Sequence, residues 1–234
     1  MALNLFRRSP DAQRRRRLAS TPESPVRDFL ATPFPTANLP LAALPLLAID
    51  LETTGLDPAR DRILSVGFVP VDGDAIALGG ARHVLICPDE ASSVGASATF
   101  HGITDDALTA GMSLREALEI TLEALQGRVL LAHYARVEVE FITRACQQVF
   151  GAAPVFPVAD TMQLGHDLVL HRHGAVPRGA LRLWALRRRF GLPTYKAHHA
   201  LGDALACAEL YLALTAELGL TKAREVLRCA SPRP

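Results

Sequence analysis

The sequence lacks long hydrophobic runs and has few cysteines, and both absences exclude classes of protein. No apolar stretch in its 234 residues approaches the roughly 18 residues that a membrane-spanning helix needs. The four cysteines (Cys87, Cys146, Cys207 and Cys229) include no pair at zinc-site spacing, and they form no pattern typical of a secreted disulfide framework. The basic first residues are followed by no apolar segment of a signal peptide. We therefore expect a cytoplasmic protein with reduced cysteines.

Arginine and proline are concentrated in residues 1–40. This segment holds seven arginines against three acidic residues, a balance of +4, and it has six of the 16 prolines. Because few of its residues can form a core, we interpret it as a flexible arm. A folded domain at 41–218 and a short tail at 219–234 then carry a charge of −3. An acidic body can bind nucleic acid if its carboxylates hold metal ions that bridge to phosphates.

After residue 44, short apolar runs alternate with helical periodicities. We predict strands at 46–49, 63–71, 75–87, 129–132 and 155–159, with a hairpin turn at 72–74, and helices at 113–126, 137–149, 181–190 and 200–218. An early hairpin followed by alternating helices and strands indicates an α/β fold with a mixed sheet flanked by helices.

Asp50 and Glu52 end the first apolar strand. Residues i and i+2 of a strand share a face, so these carboxylates project together while Ile49 and Leu51 face the other way. Two neighbouring carboxylates repel each other unless positive charge lies between them, and oxygen ligands suit Mg²⁺ or Mn²⁺. The pair therefore predicts a metal site. The alternative is two solvated acids before the turn at Gly55.

His198 and Asp203 flank the start of the last long helix. Asp203 lies one turn into it, beside the small residues Ala200 and Ala204. Small neighbours allow the helix to pack close to the sheet, which would bring Asp203 to the carboxylates of the first strand. A histidine in the preceding loop can accept a proton near neutral pH. The alternative is an acid favoured by the helix dipole and a surface histidine.

Glu138 is the third acidic candidate. It shares a helical stripe with Phe141 and Ile142, at i+3 and i+4, and so leans toward the core. Glu140 points about 200° away from it. We expect Glu140 to form an ordinary solvated pair with Arg144.

Together these residues resemble the DEDDh exonuclease family over about residues 44–216. The similar segments are D-x-E-T-T-G at 50–55, H-G-I-T at 101–104, D-T at 160–161, and a last motif at 198–204. Several motifs in the family's order are far more specific than any one of them. The resemblance implies a ribonuclease-H-like fold, with a five-stranded mixed sheet flanked by helices.

The second motif departs from the family's usual H-N-x-x-F-D-x-x-F-L. Tyr134 replaces the asparagine and Glu138 the aspartate, and Phe141 and Ile142 fix the register. The carboxylate is kept with one more methylene. The last motif separates two subfamilies, with a histidine five residues or a tyrosine four residues before the final aspartate. His198 fits the first subfamily.

The resemblance implies 3′→5′ cleavage of nucleic acid at two divalent cations, Mg²⁺ or Mn²⁺, with 5′-monophosphates as products. The implied ligands are Asp50, Glu52 and Asp203 for one ion, and Asp50 with Glu138 for the second. His198 would take the proton from the attacking water. The terminal nucleotide would be positioned by the Thr53 backbone and the side chains of Leu56 and His101.

The substrate is left open by the residues. We favour single-stranded DNA with a free 3′ end, in proofreading or repair. An RNA-trimming exonuclease of the same family is an alternative, because no residue indicates how a 2′-hydroxyl would be met. An inactive nucleic-acid-binding module of the same fold is another. The change to Glu138 is its only support, since the other catalytic positions are filled.

Leu5 and Phe6 give a separate hypothesis about partners. Residues 3–6 resemble the short peptides by which bacterial proteins bind the DNA sliding clamp, although Ala2 stands where glutamine is usual. The arginines behind them, at 7–8 and 14–17, are candidates for phosphate contacts. The alternative is a loose N-terminus that binds nothing.

Overall fold

The computed structural model describes residues 9–87, 108–196 and 198–227. The strands are β1 (Pro45–Thr53), β2 (Ile63–Asp72), β3 (Ala75–Ile76), β4 (Arg82–Leu85), β5 (Val129–Ala132) and β6 (Val158–Asp160). The α-helices are α1 (Pro10–Leu18), α2 (Pro25–Ala31), α3 (Leu114–Leu125), α4 (Arg136–Phe150), α5 (Thr161–His173), α6 (Leu183–Arg189), α7 (Ala200–Glu217) and α8 (Ala223–Val226). None of these helices combines the length and the apolar character that crossing a bilayer requires.

The strands form one mixed sheet in the order β3-β2-β1-β5-β6, which confirms the predicted fold class. β2 runs antiparallel to β1, whereas β5 and β6 run parallel to it. The sheet has a sixth strand because the single strand predicted at 75–87 is divided. A 3₁₀ turn at Leu78–Gly80 interrupts it, and β3 and β4 pair with separate parts of β2. Two consecutive glycines weaken a strand, which accounts for the break.

β1 carries a different core on each of its faces. Leu47, Ile49 and Leu51 pack into the cluster that includes α3 and α4. Leu46 and Ala48 pack into the opposite cluster, which includes α7. By the same alternation, the even-numbered residues that follow Ala48 face the side of α7.

Helix α5 is absent from the sequence-based prediction. Its apolar residues are not concentrated on one face, so the periodicity gives no signal there. The local signal for its start is Asp160, whose side chain accepts a hydrogen bond from the Met162 backbone N–H at 2.8 Å. An aspartate in this position is a favoured N-cap.

The expectation that few residues before 40 can form a core is wrong for α2. Val26, Phe29 and Leu30 are fully buried and belong to the core cluster of α3 and α4. Ser24 caps this helix and Pro25 occupies its first turn, where a proline starts a helix instead of breaking it. Proline content is therefore a poor sign of flexibility at this place in the chain.

Two distant segments close the fold. The backbone N–H of Leu41 donates to the Thr221 carbonyl at 2.8 Å, and that of Ala223 donates to the Leu39 carbonyl at 2.9 Å. Pro40 and Lys222 form an isolated antiparallel bridge between these bonds. We call this contact of residues 37–41 with 221–224 the clasp.

Candidate active site

Three carboxylates meet at the C-terminal end of β1. One oxygen from each of Asp50, Glu52 and Asp203 lies within 4.8 Å of the other two. Asp50 and Glu52 share the β1 face that is turned toward α7, and Asp203 lies in the first turn of α7. The structure therefore brings together side chains that are far apart in the sequence.

A glycine in β2 allows α7 to lie this close to the sheet. Gly67 is the β2 partner of Asp50. A Cβ at position 67 would lie 2.1 Å from the backbone carbon of Ala200 and from the backbone nitrogen of Leu201. The start of α7 thus occupies the space of the missing side chain. From the sequence we attribute the close packing to the small residues of α7 alone, although a glycine inside a strand is itself a sign of close backbone approach.

Glu138 lies beside this cluster, in the first turn of α4. Its side chain is buried, and its Oε2 has no hydrogen-bond partner among the described residues. Burial first, and then the charge of Asp160, raises the pKa of Glu138 to about 8. Its own charge contributes to raising the pKa of Asp50. We refer to Asp50, Glu52, Glu138 and Asp203 as the acidic cluster.

Glu140 is partly exposed and has a different role. It accepts a hydrogen bond from Arg136 at 2.6 Å, one turn before it, and not from the predicted partner Arg144. Both arginines stand four residues away along the helix, and either side can supply such a pair. On helix α4, Glu138 is thus buried, whereas Glu140 is partly open to solvent.

The acidic cluster brings four carboxyl groups together in a largely buried place. Burial is the largest cause that raises the pKa of Asp50, Glu52 and Asp203, and neighbouring carboxylates raise the first two further, with Glu52 reaching about 7. Across the described ranges, no lysine or arginine forms an ion pair with any of the four acids. Asp203 Oδ1, like Glu138 Oε2, is buried and has no hydrogen-bond partner in the part of the chain that the structure describes. Such a site fits hard divalent cations, because these ions prefer carboxylate and other oxygen ligands.

His198 and His199 differ although they are adjacent. His198 is exposed, has a φ of 62°, and donates its backbone N–H to Asp203 Oδ2 at 2.9 Å. His199 Nδ1 accepts from the Gly202 backbone N–H at 3.2 Å and so caps α7. Its ring centroid lies 4.5 Å from that of His83. The imidazole of His198 is therefore available beside Asp203, whereas that of His199 is engaged in the cap.

The predicted nucleotide-positioning residues lie at the last position of β1, in the turn that follows it, or outside the described residues. Thr53 Oγ1 donates to the Gly55 carbonyl at 2.6 Å, which shapes the turn. Leu56 is 81% exposed, an unusual state for a leucine. His101 is outside the described residues.

Asp160 has a positioning role that the sequence alone does not reveal. Its carboxylate accepts the backbone N–H groups of Tyr134 at 3.0 Å and Ala135 at 3.1 Å, besides capping α5. Next to it, His133 contacts the Thr161 hydroxyl and the Leu181 carbonyl, each at 2.9 Å. These contacts fix the chain that leads into α4 and hence the position of Glu138. The motif at 160–161 is the available signal.

Comparison with known proteins identifies the family. The family model RNase_T, described as Exonuclease, matches residues 47–211. The chain is 34% identical to the DNA polymerase III subunit epsilon of Treponema pallidum over 172 residues, which are 72% of this chain and 75% of the relative. The chain belongs to the DEDDh exonuclease family. It is also 30% identical to the PolC-type DNA polymerase III of Thermotoga maritima over 183 residues, 77% of this chain but only 13% of that polymerase.

Solved structures of other exonucleases share the fold. Cell-death related nuclease 4 matches with a TM-score of 0.65 at 15% identity, over 78% of this chain and 66% of that one. The nuclease domain of 3′hExo, a DEDDh family member bound to rAMP, matches with a TM-score of 0.63 at 16% identity, over 80% and 96%. At such identities the likeness concerns the fold alone, and it confirms the ribonuclease-H-like prediction.

Proposed function

We propose that this protein is a metal-dependent 3′→5′ exonuclease that acts in the cytoplasm and releases 5′-monophosphates from DNA ends. The observation that carries this proposal is the acidic cluster: four carboxylates, largely buried, with raised pKa values and no basic partner in the described part of the chain. Such an arrangement is costly unless cations bind there. Family membership makes a nuclease the natural use of those cations.

The residues divide into two ligand groups. Asp50, Glu52 and Asp203 would hold one divalent cation, Mg²⁺ or Mn²⁺, because their oxygens already converge. Glu138, whose buried Oε2 has no partner among the described residues, would contribute with Asp50 to a second. When bound, two such ions polarise a phosphodiester and stabilise charge on its attacking and leaving oxygens. The extra methylene of Glu138 lets it act directly or through water.

His198 is the proposed general base. It is exposed next to Asp203, which accepts its backbone N–H and fixes the loop, so its imidazole can take a proton from the attacking water. Such a base contributes roughly 10² to 10⁴-fold to a rate. The turn that carries Thr53 and Leu56 would position the terminal nucleotide, with the exposed leucine meeting its base or sugar.

DNA is the preferred substrate because the relatives named DNA polymerase III match over most of this chain. Exonuclease X, solved with 5′-overhanging duplex DNA, has the same fold at 20% identity and a TM-score of 0.57. RNA is the second candidate, favoured by the rAMP bound in the 3′hExo domain. A sliding-clamp contact through Leu5 and Phe6 stays a prediction, since both residues lie outside the described ranges.

The test is an exonuclease assay with matched strands. Single-stranded DNA and RNA of one sequence, labelled at the 5′ end, are incubated with Mg²⁺, Mn²⁺ or EDTA. We expect stepwise shortening of the DNA from its 3′ end, release of 5′-monophosphates, and no reaction in EDTA. Faster RNA trimming would select the second candidate. Intact strands under all metal conditions would refute both.

Glu138 and Glu140 supply the matched control for the site. We expect Glu138→Gln to impair cleavage strongly, because it removes a carboxylate ligand of the proposed second cation, and Glu140→Gln to have almost no effect, because it breaks only a surface pair. The reverse ranking in the same assay would show that the acidic cluster is wrongly assigned on α4.

A further inference from the structure

Tyr134 has a strained backbone. Its φ is 68°, and among the described non-glycine residues only His198 shares a positive value. A bulky side chain in the left-handed region is an outlier that costs free energy. Such strain persists where the surroundings impose it, and it clusters at functional sites. The other strained residue is His198, the proposed general base, whose backbone N–H donates to Asp203 of the acidic cluster.

The surroundings explain the backbone at position 134 but not the side chain. Asp160 holds the N–H groups of residues 134 and 135 at 3.0 and 3.1 Å, and the Tyr134 carbonyl accepts from the Val137 N–H at 3.2 Å. None of these contacts uses the ring. Glycine or asparagine would adopt the same conformation with less strain. The tyrosine is therefore more costly than its backbone role requires.

Residue 134 follows β5 at the end of the sheet that carries the acidic cluster, and its side chain is partly open to solvent. Ala48 pairs with Leu131, and extending this parallel register past the paired residues sets Asp50 level with residue 133. Tyr134 therefore lies two residues beyond the end of β5 and close to the level of Asp50. It precedes Glu138 by about one helical turn, and 46% of it is exposed. The Tyr134 hydroxyl lies near the Arg136 guanidinium. Glu140 has the largest effect in raising the pKa of Arg136, and the Tyr134 hydroxyl adds to that effect.

We propose that Tyr134 is a stacking platform for the base on the 5′ side of the scissile phosphate. This inference rests on the proposed exonuclease function. The turn after β1, with Leu56, leads toward β2, whereas Tyr134 follows β5 on the other side of β1. A phosphate at Asp50 therefore lies between the two. With Leu56 at the terminal nucleotide, the exposed ring of Tyr134 meets the next one, and aromatic stacking accepts any base.

Measuring how two Tyr134 variants bind single-stranded DNA distinguishes the role of the ring from the role of the backbone at this position. Tyr134→Asn tolerates the left-handed backbone and lacks the ring, whereas Tyr134→Phe keeps the ring and lacks the hydroxyl. We measure the affinity of the full chain for a short 2-aminopurine-labelled strand in Ca²⁺, and check afterwards that the strand is intact. We expect about 5- to 150-fold weaker binding for Tyr134→Asn and near-normal binding for Tyr134→Phe, with thermal stability kept in both. Equal binding by the wild type and Tyr134→Asn would overturn the proposal.

An abasic substitution locates the base. Removing the penultimate base should weaken binding to the wild-type protein and hardly change binding to Tyr134→Asn, because each change removes the same contact. Additive losses, or coupling at the terminal base instead, would overturn the assignment. If the wild type neither binds nor shortens single strands, the exonuclease proposal itself fails. If it does both and Tyr134→Asn binds normally, only the stacking platform fails.

Discussion

Helix α7 carries two charged sites of opposite character, six residues apart. At Asp203, within the acidic cluster, carboxylates crowd together, and buried oxygens have no hydrogen-bond partner within residues 9–87, 108–196 and 198–227. At Glu209, the carboxylate meets the guanidinium of Arg187 at 2.7 Å and the hydroxyl of Tyr195 at 2.7 Å. Arg187 is only 1% exposed and also donates to the Ala206 carbonyl at 2.6 Å. We call Arg187, Tyr195 and Glu209 the Arg187 network.

We interpret the difference as that between the proposed catalytic site and a site that stabilises the fold. In the Arg187 network, opposite charges and hydrogen bonds tie α6 to α7 and offset the cost of burial, although Arg187 Nε has no hydrogen-bond partner among the described residues. The acidic cluster forms no such ion pair with lysine or arginine in the described residues, and burial keeps the pKa of Asp203 raised although His198 and His199 act to lower it. We therefore expect the acidic cluster to destabilise the metal-free fold. A protein keeps that arrangement where binding a cation matters more than stability. Changes at the two sites should therefore act in opposite directions.

The largest expected contrast is between Asp50→Asn and Glu209→Gln. Asp50→Asn should lower cleavage by orders of magnitude, because it disrupts both proposed ligand groups, and should raise the melting temperature of the metal-free protein by relieving repulsion. Glu209→Gln should lower the melting temperature and leave the activity per folded molecule unchanged. Turnover assays and thermal scans in EDTA measure both. Normal turnover in Asp50→Asn would refute the site.

The two histidines before α7 test how far the functional site extends. His198→Ala should slow cleavage at neutral pH by about 10² to 10⁴-fold, the usual contribution of a general base. His199→Ala removes a helix cap, so it should cost about 1 kcal/mol of stability and little activity. Rates and urea midpoints of both variants give the comparison. A slower reaction in His199→Ala than in His198→Ala would contradict the proposed roles.

Arg187→Ala should show how much the Arg187 network contributes to the stability of the fold. It leaves Glu209 without its cation and opens a gap between Trp184 and Tyr195, whose rings flank the guanidinium at 5.3 and 5.1 Å. We expect a loss of about 3 kcal/mol, at the low end for a buried pair because Glu209 keeps some exposure. Urea denaturation measures it. Arg187→Met combined with Glu209→Gln should recover part of the loss, and a double variant as unstable as Arg187→Ala would argue against charge as the cause.

The pH dependence of the metal-free protein's stability tests the same comparison without a mutation. Burial raises the pKa of Glu52 from 4.5 to about 7 and that of Glu138 to about 8. Between the ordinary and the raised values the unfolded chain binds fewer protons than the native one, so stability falls as pH rises. We expect the melting temperature in EDTA to fall from about pH 4.5 to pH 8, and Mn²⁺ to reduce the fall. A melting temperature in EDTA that does not change with pH would contradict the raised pKa values of Glu52 and Glu138.

The sequence predicts the parts of the site that depend on local periodicity. Alternation along β1 places Asp50 and Glu52 on one face, and helical spacing separates Glu138 from Glu140; the structure shows both arrangements. The predicted pair of Glu140 with Arg144 is wrong, because a helix offers partners in both directions and the spacing does not choose between them.

Features that depend on contacts between distant segments are not predictable in this way. The positive φ values of Tyr134 and His198 are imposed by surroundings that include Asp160 and Asp203. The role of Gly67 appears only when α7 lies on β2. Helix α2 has too few turns to show a period, and its apolar residues become a core only against α3 and α4.

The clasp has a consequence for synthesis on the ribosome. It joins residues 37–41 to residues 221–224, which are synthesised much later. Helix α7, which packs on β1 and β2, is separated from these strands in the sequence by nearly as many residues. Contacts of this range form slowly, because a long loop must close before they are gained. A nascent chain that has emerged only as far as α6 therefore holds Asp50 and Glu52 without Asp203. We expect proteolytic protection of β1 and nuclease activity to appear together, after α7 has emerged.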